Sequence, residues 1–267
     1  MNLTLIWLFG LGFGTGIVGG FLGIGGGVII TAVLLEWFKA QGIPVDTRFH
    51  LAFGTTLLAI FGTAISSAFT YQQMKRVVWR AVAVIGGASV IASLIGSRLA
   101  AASSGPLLKT LFVSFCLFNA AMLFRKSSGL AVGVEPRLDI TRLAMIGILA
   151  GLMSAYLGIA GGVVMVPLLI LWIKIKPEMA PGTSSAVGVI TSLVGALGYA
   201  MNGTGAEHLP DGAWGFVVPA IAFPILLGTM AGGPIGSLLN RRYGKKSFRY
   251  AFAVFLLLMA ARIYFKN

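Results

Sequence analysis

The sequence predicts an all-α, polytopic membrane protein built from two copies of one helical unit. Three observations predict it: 57% of the 267 residues are hydrophobic, only 10% are charged, and one glycine-rich block occurs twice. A soluble domain carries about 25% charged residues, whereas mean hydropathy here is +0.94. Apolar windows recur along the whole chain, each long enough for the ~20 residues of a bilayer-spanning helix. Period-two alternation is nowhere sustained, which excludes a transmembrane β-barrel.

The repeated block reads FLGIGGGVII at 21–30 and YLGIAGGVVM at 156–165. In register with it, Gly12, Gly16, Leu22, Gly23, Ile24, Gly26, Gly27 and Val28 match Gly147, Gly151, Leu157, Gly158, Ile159, Gly161, Gly162 and Val163. Further along, AFGTT (52–56) matches APGTS (180–184), Tyr71 matches Tyr199, and IGSRL (95–99) matches IGSLL (235–239). LFVSFCLFNAA (111–121) lines up with AFAVFLLLMAA (251–261). The chain is an internal duplication. Its expected divisions are repeat 1 at 1–124, a cytoplasmic linker at 125–142 and repeat 2 at 143–267.

Each half predicts a helical hairpin broken or re-entrant at the glycines, followed by three transmembrane helices. The segments fall near 4–22 with 27–38, 51–71, 78–99 and 107–124. In the second half they fall near 143–158 with 162–173, 183–201, 213–238 and 248–265. Basic loops mark the cytoplasmic side. NRRYGKKSFR (240–249) carries five bases and no acid, whereas NGTGAEHLPDG (202–212) carries two acids and no Lys or Arg. In the first half the basic loop is QQMKRVVWR (72–80), at the slot equivalent to that acidic one. The two halves are therefore expected to lie in opposite orientations, as inverted repeats with both termini outside.

Inverted repeats that meet at discontinuous helices are a secondary-transporter architecture, with the substrate held where the breaks meet. A helix restarting after GIGGG or GIAGG presents free N–H groups and a partial positive charge, which suits an anion. The competing reading is close packing at small residues between helices. The matched duplication favours the break. Gly25, Gly26, Gly27, Ala160, Gly161 and Gly162 are thus the expected backbone contacts to substrate. Gly12 and Gly147, earlier in the same segments, are expected to tolerate alanine better than Gly26 and Gly161. Thr55, Thr56, Thr183, Ser184 and Ser185 open the segment after each hairpin. Hydroxyls bond anion oxygens without burying a charge, although helix capping also favours Ser and Thr there.

These residues carry a resemblance. GFLGIGGGVII, its echo AYLGIAGGVVMVPLL, the pairs GTT and GTSS, and IGSRLA are similar to the sulfite exporter TauE/SafE family of bacterial permeases, over essentially the whole chain. The resemblance implies export of sulfite or organosulfur anions. An organic-carboxylate permease and a non-transporting membrane anion sensor stay open as alternatives. One departure from an exact repeat is Ala160, in the slot of Gly25.

None of the seven acids sits centrally in an apolar segment. His50 and Glu178 occupy equivalent slots four residues before Gly54 and Gly182, and are candidates for gating or proton coupling, as is Arg98. Snorkelling explains Arg98 nearly as well. GTSS with His208 has the residues of an intramembrane serine protease. The first half, however, holds Gly54, Thr55 and Thr56 in those slots, so no enzyme is expected. No zinc or Walker spacing occurs, and the net charge of +13 reads as orienting loops, so no nucleic acid, metal or cofactor is expected. The only cysteine, Cys116, has no disulfide partner. No Lys or Arg precedes the first apolar run, which argues against a cleaved signal peptide. The expected location is the bacterial inner membrane, multi-pass. The expected partners are a small anion and the lipid bilayer, with homodimer formation open.

Overall fold

In hydrocarbon each backbone N–H and C=O must find its partner within the protein, so long apolar runs fold as helices. The computed structural model describes residues 2–124, 138–159, 161–242 and 245–266. These hold ten helices and no strand: α1 (Asn2–Leu22), α2 (Gly27–Ala40), α3 (Val45–Gln73), α4 (Trp79–Ala101), α5 (Gly105–Phe124), α6 (Ile140–Leu157), α7 (Gly162–Leu171), α8 (Ala180–Asn202), α9 (Pro219–Arg242) and α10 (Lys245–Lys266). Most of the expected linker, 125–137, lies outside the described residues, as do Ala160 and residues 243–244 of the basic loop.

Among the described residues six helices are long and apolar enough to cross a membrane: α1, α3, α4, α6, α8 and α9. The chain is a multi-pass membrane protein. The first arms of the hairpins, 21 and 18 residues, reach ~31 and ~27 Å at 1.5 Å per residue. The second arms, 14 and 10 residues, reach only ~21 and ~15 Å. Two starts differ from expectation. Helix α3 begins at Val45 rather than near 51, because Pro44 presets the turn and the Asp46 carboxylate accepts from the Gly105 N–H at 2.9 Å. Helix α9 begins at Pro219 rather than near 213, because Trp214 and Val217 pair across a turn with Gly215 at φ 54°.

The helices pair across the two halves. Helix α1 lies along α9, and α6, its counterpart, lies along α4. Glycines on both partners bring the backbones together. A Cβ on Gly12, Gly16 or Gly20 would stand 2.2–2.6 Å from the carbonyl oxygens of Ile225, Thr229 and Gly233. A Cβ on Gly228, Gly232 or Gly236 would meet those of Phe9, Phe13 and Ile17 as closely. Gly147 and Gly151 face Ile85 and Ser89 in the same manner. At the centre α3 packs on α8. A Cβ on Gly54, near the start of α3, would meet Tyr199, near the end of α8. One on Gly182 would meet Tyr71. The two equivalent helices therefore run antiparallel. Outward-facing Ile91, Leu94, Phe118, Leu197, Leu227 and Leu258 form the apolar exterior that lipid covers.

Gly12 and Gly147, expected to tolerate alanine better than Gly26 and Gly161, have no room for a methyl at these seams. A methyl at Gly12 would sit 2.2 Å from the Ile225 oxygen, and one at Gly147 2.4 Å from the Ile85 oxygen. Gly10 and Gly14, on the same helix, have nothing within 4 Å of their missing Cβ. Gly12→Ala and Gly147→Ala are therefore expected to destabilise by ~1–3 kcal/mol through overpacking. Gly10→Ala and Gly14→Ala are expected to be neutral or to gain up to ~1 kcal/mol of helix propensity. Thermal unfolding in detergent checks this; equal Tm for Gly10→Ala and Gly12→Ala would refute the seam.

Candidate functional site

The first break follows from its glycines. Helix α1 ends at Leu22, and Gly23, Gly25 and Gly26 all take left-handed backbone, with φ of 71°, 74° and 73°. Only glycine does so at little cost. The Ile24 N–H returns to the Gly19 carbonyl at 3.1 Å, and Gly26 caps α2. At the second break Gly158 caps α6 with φ 63°, and its N–H and that of Ile159 both return to the Ser154 carbonyl. Gly161, however, is right-handed at φ −55°, so the two breaks restart their second arms differently. Of the expected contacts, Ala160 lies outside the described residues. Gly26, Gly27, Gly161 and Gly162 are buried and Gly25 is partly so. The opening N–H groups of α2 and α7, as at any helix start, have no intrahelical acceptor.

Each break docks on the opposite half. A Cβ on Gly23 would lie 2.5 Å from Pro181 Cα, and one on Gly158 would lie 2.4 Å from Phe53 Cα. Pro181 and Phe53 are equivalent residues, each immediately before its GT pair. Gly26 and Gly161 lean on their own first arms, at the carbonyls of Thr15 and Ala150. The breaks also touch one another: Gly162, opening α7, approaches the Gly23 carbonyl so closely that a Cβ there would be 2.3 Å away. Ser184 seals the contact by donating to that same carbonyl at 2.9 Å.

The five hydroxyl residues are all buried, and they divide by role. The Thr55 oxygen accepts from the Val218 N–H at 3.0 Å, and the Thr183 oxygen accepts from the Val78 N–H at 3.1 Å. Val218 and Val78 immediately precede α9 and α4, so each threonine satisfies a helix start in the other half. Thr183 also donates to the Met179 carbonyl at 2.9 Å. Thr56 accepts from Thr31 at 3.0 Å, which leaves its own proton for another acceptor. Ser185 is buried beside Ser184. The two GT blocks do not converge on one point. The α3–α8 register of Gly54 against Tyr199 and Gly182 against Tyr71 separates them by ~25 Å of helix.

Loops at the start of α3, the end of α4 and residues 203–217 share one face, where the Thr47 hydroxyl donates to the Glu207 carbonyl at 3.4 Å. That face holds an open cleft of about 540 Å³ lined by Asp46, His50, Ser103, Glu207, His208 and Phe216. His50 is 5% exposed, stacks on Phe216 at 4.8 Å, and places one ring nitrogen on the Asp46 carbonyl and the other 2.9 Å from the Ala100 carbonyl. Its counterpart Glu178 lies on the opposite face, exposed, 3.7 Å from Arg76. Arg98 is exposed on α4. Two buried residues carry no signal in the repeats: Thr31, which reaches Thr56, and Ser154, whose hydroxyl at the second break has no partner.

The family model described as "Sulfite exporter TauE/SafE" matches residues 8–263. A "Probable membrane transporter protein" of Methanocaldococcus jannaschii is 29% identical to this chain, covering 92% of it and 90% of the relative. One of Haemophilus influenzae is 24% identical, covering 94% of each, and one of Bacillus subtilis is 23% identical, covering 99% of each. No solved structure matches. The chain belongs to the sulfite exporter TauE/SafE family and is a membrane transporter of that type.

The cross-half contacts generate a stability expectation. Thr183→Val leaves the Val78 N–H without its acceptor, and Ser184→Ala removes the donor at the Gly23 carbonyl. Each is expected to lower stability by ~1–3 kcal/mol, the cost of an orphaned buried partner. Thermal melts of the two variants and the parent give the measurement. Unchanged Tm in both would show that the hydroxyls do not hold the breaks.

Proposed function

We propose that this member of the TauE/SafE family exports a small anion, sulfite or an organosulfur anion, across a bacterial inner membrane by alternating access. One observation carries the reading: each glycine break docks on the GT block of the opposite half, and the two breaks touch at Gly162 and Gly23. The antiparallel course of α3 and α8 supports halves related as inverted repeats, since a symmetry that maps one helix onto its antiparallel partner reverses direction across the bilayer. In this reading the N–H groups opening α2 and α7, at Gly25–Gly27 and Gly161–Gly162, take turns facing the anion. Thr56, with its uncommitted proton, and Ser185 add hydroxyl donors. Thr55, Thr183 and Ser184 hold the frame. Neutral donors bind an anion without the penalty of a permanent buried charge and release it again.

Liposomes loaded with sulfite and carrying the purified protein are expected to release it faster than protein-free liposomes. Gly161→Ala should lose that flux. Its right-handed backbone suits alanine, but the methyl would stand 2.9 Å from the Ala150 carbonyl oxygen, so a thermal melt showing the variant folded accompanies the flux measurement. Release of acetate or succinate but not sulfite would replace this substrate with a carboxylate, and anion binding without flux would make the protein a sensor.

Orientation has its own check. In a Cys116→Ala background, a cysteine replacing Glu207 should react with an impermeant external thiol reagent, and one replacing Lys75 should be shielded. The same accessibility for both would end the inverted-repeat reading.

A further inference from the structure

Where α1 ends, just before the first break, buried oxygens gather more densely than the fold requires. The Gly20 carbonyl accepts from the Tyr71 hydroxyl at 3.0 Å, Ser237 Oγ lies 3.5 Å from it while donating to the Gly233 carbonyl at 3.0 Å, and the Asn240 amide N–H₂ donates to the Phe21 carbonyl at 2.6 Å. Two further oxygens stand there without any hydrogen-bond partner. The Ser67 hydroxyl belongs to a residue 0% exposed, and Asn240 Oδ1 to one 7% exposed. Gly20 and Gly233 make the room: a Cβ on either would lie 2.9 Å from the Ser67 hydroxyl.

Orphaned buried acceptors cost stability, and in native proteins they mark a missing partner. The oxygens here are carbonyl, hydroxyl and amide, at a helix C-terminus that carries partial negative charge. No cluster of three or more acidic, histidine or cysteine ligands occurs among the described residues. A hard, neutral oxygen set without carboxylates lacks the charge that divalent cations call for. It suits a singly charged alkali cation, and helix C-terminal carbonyls at a break are a known setting for one.

The second half sharpens the case. It keeps the shared parts, Tyr199 for Tyr71 and Ser97 for Ser237, but has Gly195 in the slot of Ser67 and Ala100 in that of Asn240. The duplicated scaffold therefore supplies the tyrosine and serine twice and the unpartnered oxygens once.

We propose that Ser67, Asn240, Tyr71, Ser237 and the carbonyls of Gly20 and Phe21 form a binding site for one alkali-metal cation beside the first break. The test is thermal unfolding of the full chain in detergent, with sodium, potassium or choline chloride at equal ionic strength and no transported anion. Constant chloride keeps the outcome independent of the anion-export reading. Sodium or potassium is expected to raise Tm saturably by ~2 °C or more over choline, and the arm that responds identifies the ion. Ser67→Ala deletes only an orphaned oxygen, so in choline it should be as stable as the parent or more so. It should lose most of the cation-dependent rise. Equal Tm of the parent in all three salts, or an undiminished rise in Ser67→Ala, would overturn the proposal and assign the oxygens to buried water.

Discussion

A helix interrupted within an apolar chain strands backbone N–H and C=O groups where no water can reach them, and everything central to this structure answers that constraint. Neither half can answer it alone. The first break is closed by Pro181 and Ser184 of the second half, and the second by Phe53 of the first. The starts of α4 and α9 are closed in the same reciprocal way, by Thr183 and Thr55. The duplicated GT block is best understood as the receptor for the other half's break.

Close backbone approach makes this closure possible. Along α1–α9 and α6–α4 the glycines let carbonyls of one helix face the Cα of the next, so dispersion and weak Cα–H contacts replace the hydrophobic effect that lipid does not provide. Among the described residues ion pairs play little part. Arg76–Glu178, Arg142–Asp139 and Arg262–Glu36 involve partly exposed side chains, where such pairs contribute at most about 1 kcal/mol. The frame between the two halves is thus held by short-range backbone packing rather than by charge networks.

The halves are nonetheless unequal. Gly26 is left-handed where Gly161 is right-handed. His50 is enclosed between two carbonyls, while Glu178 in the equivalent slot faces out toward Arg76. Ser67 and Asn240 have Gly195 and Ala100 as counterparts. The differences between the halves sit beside the breaks and at the loop faces.

Much of this was determined by the sequence itself. Composition and hydropathy required a multi-pass helical membrane protein, and the repeated GIGGG and GIAGG blocks located both breaks to within a few residues. Both are local properties, set by whether a short window can satisfy its own hydrogen bonds and survive in hydrocarbon. The partners were decided only by tertiary structure. Nothing local distinguishes Gly12, pressed against the Ile225 carbonyl, from Gly10 two residues earlier with open space around it. Nor does local sequence show that Thr55 serves Val218 while Thr56 serves Thr31. Such distinctions depend on which helix arrives from the other half and at what register, and that is fixed only when both halves have folded against each other.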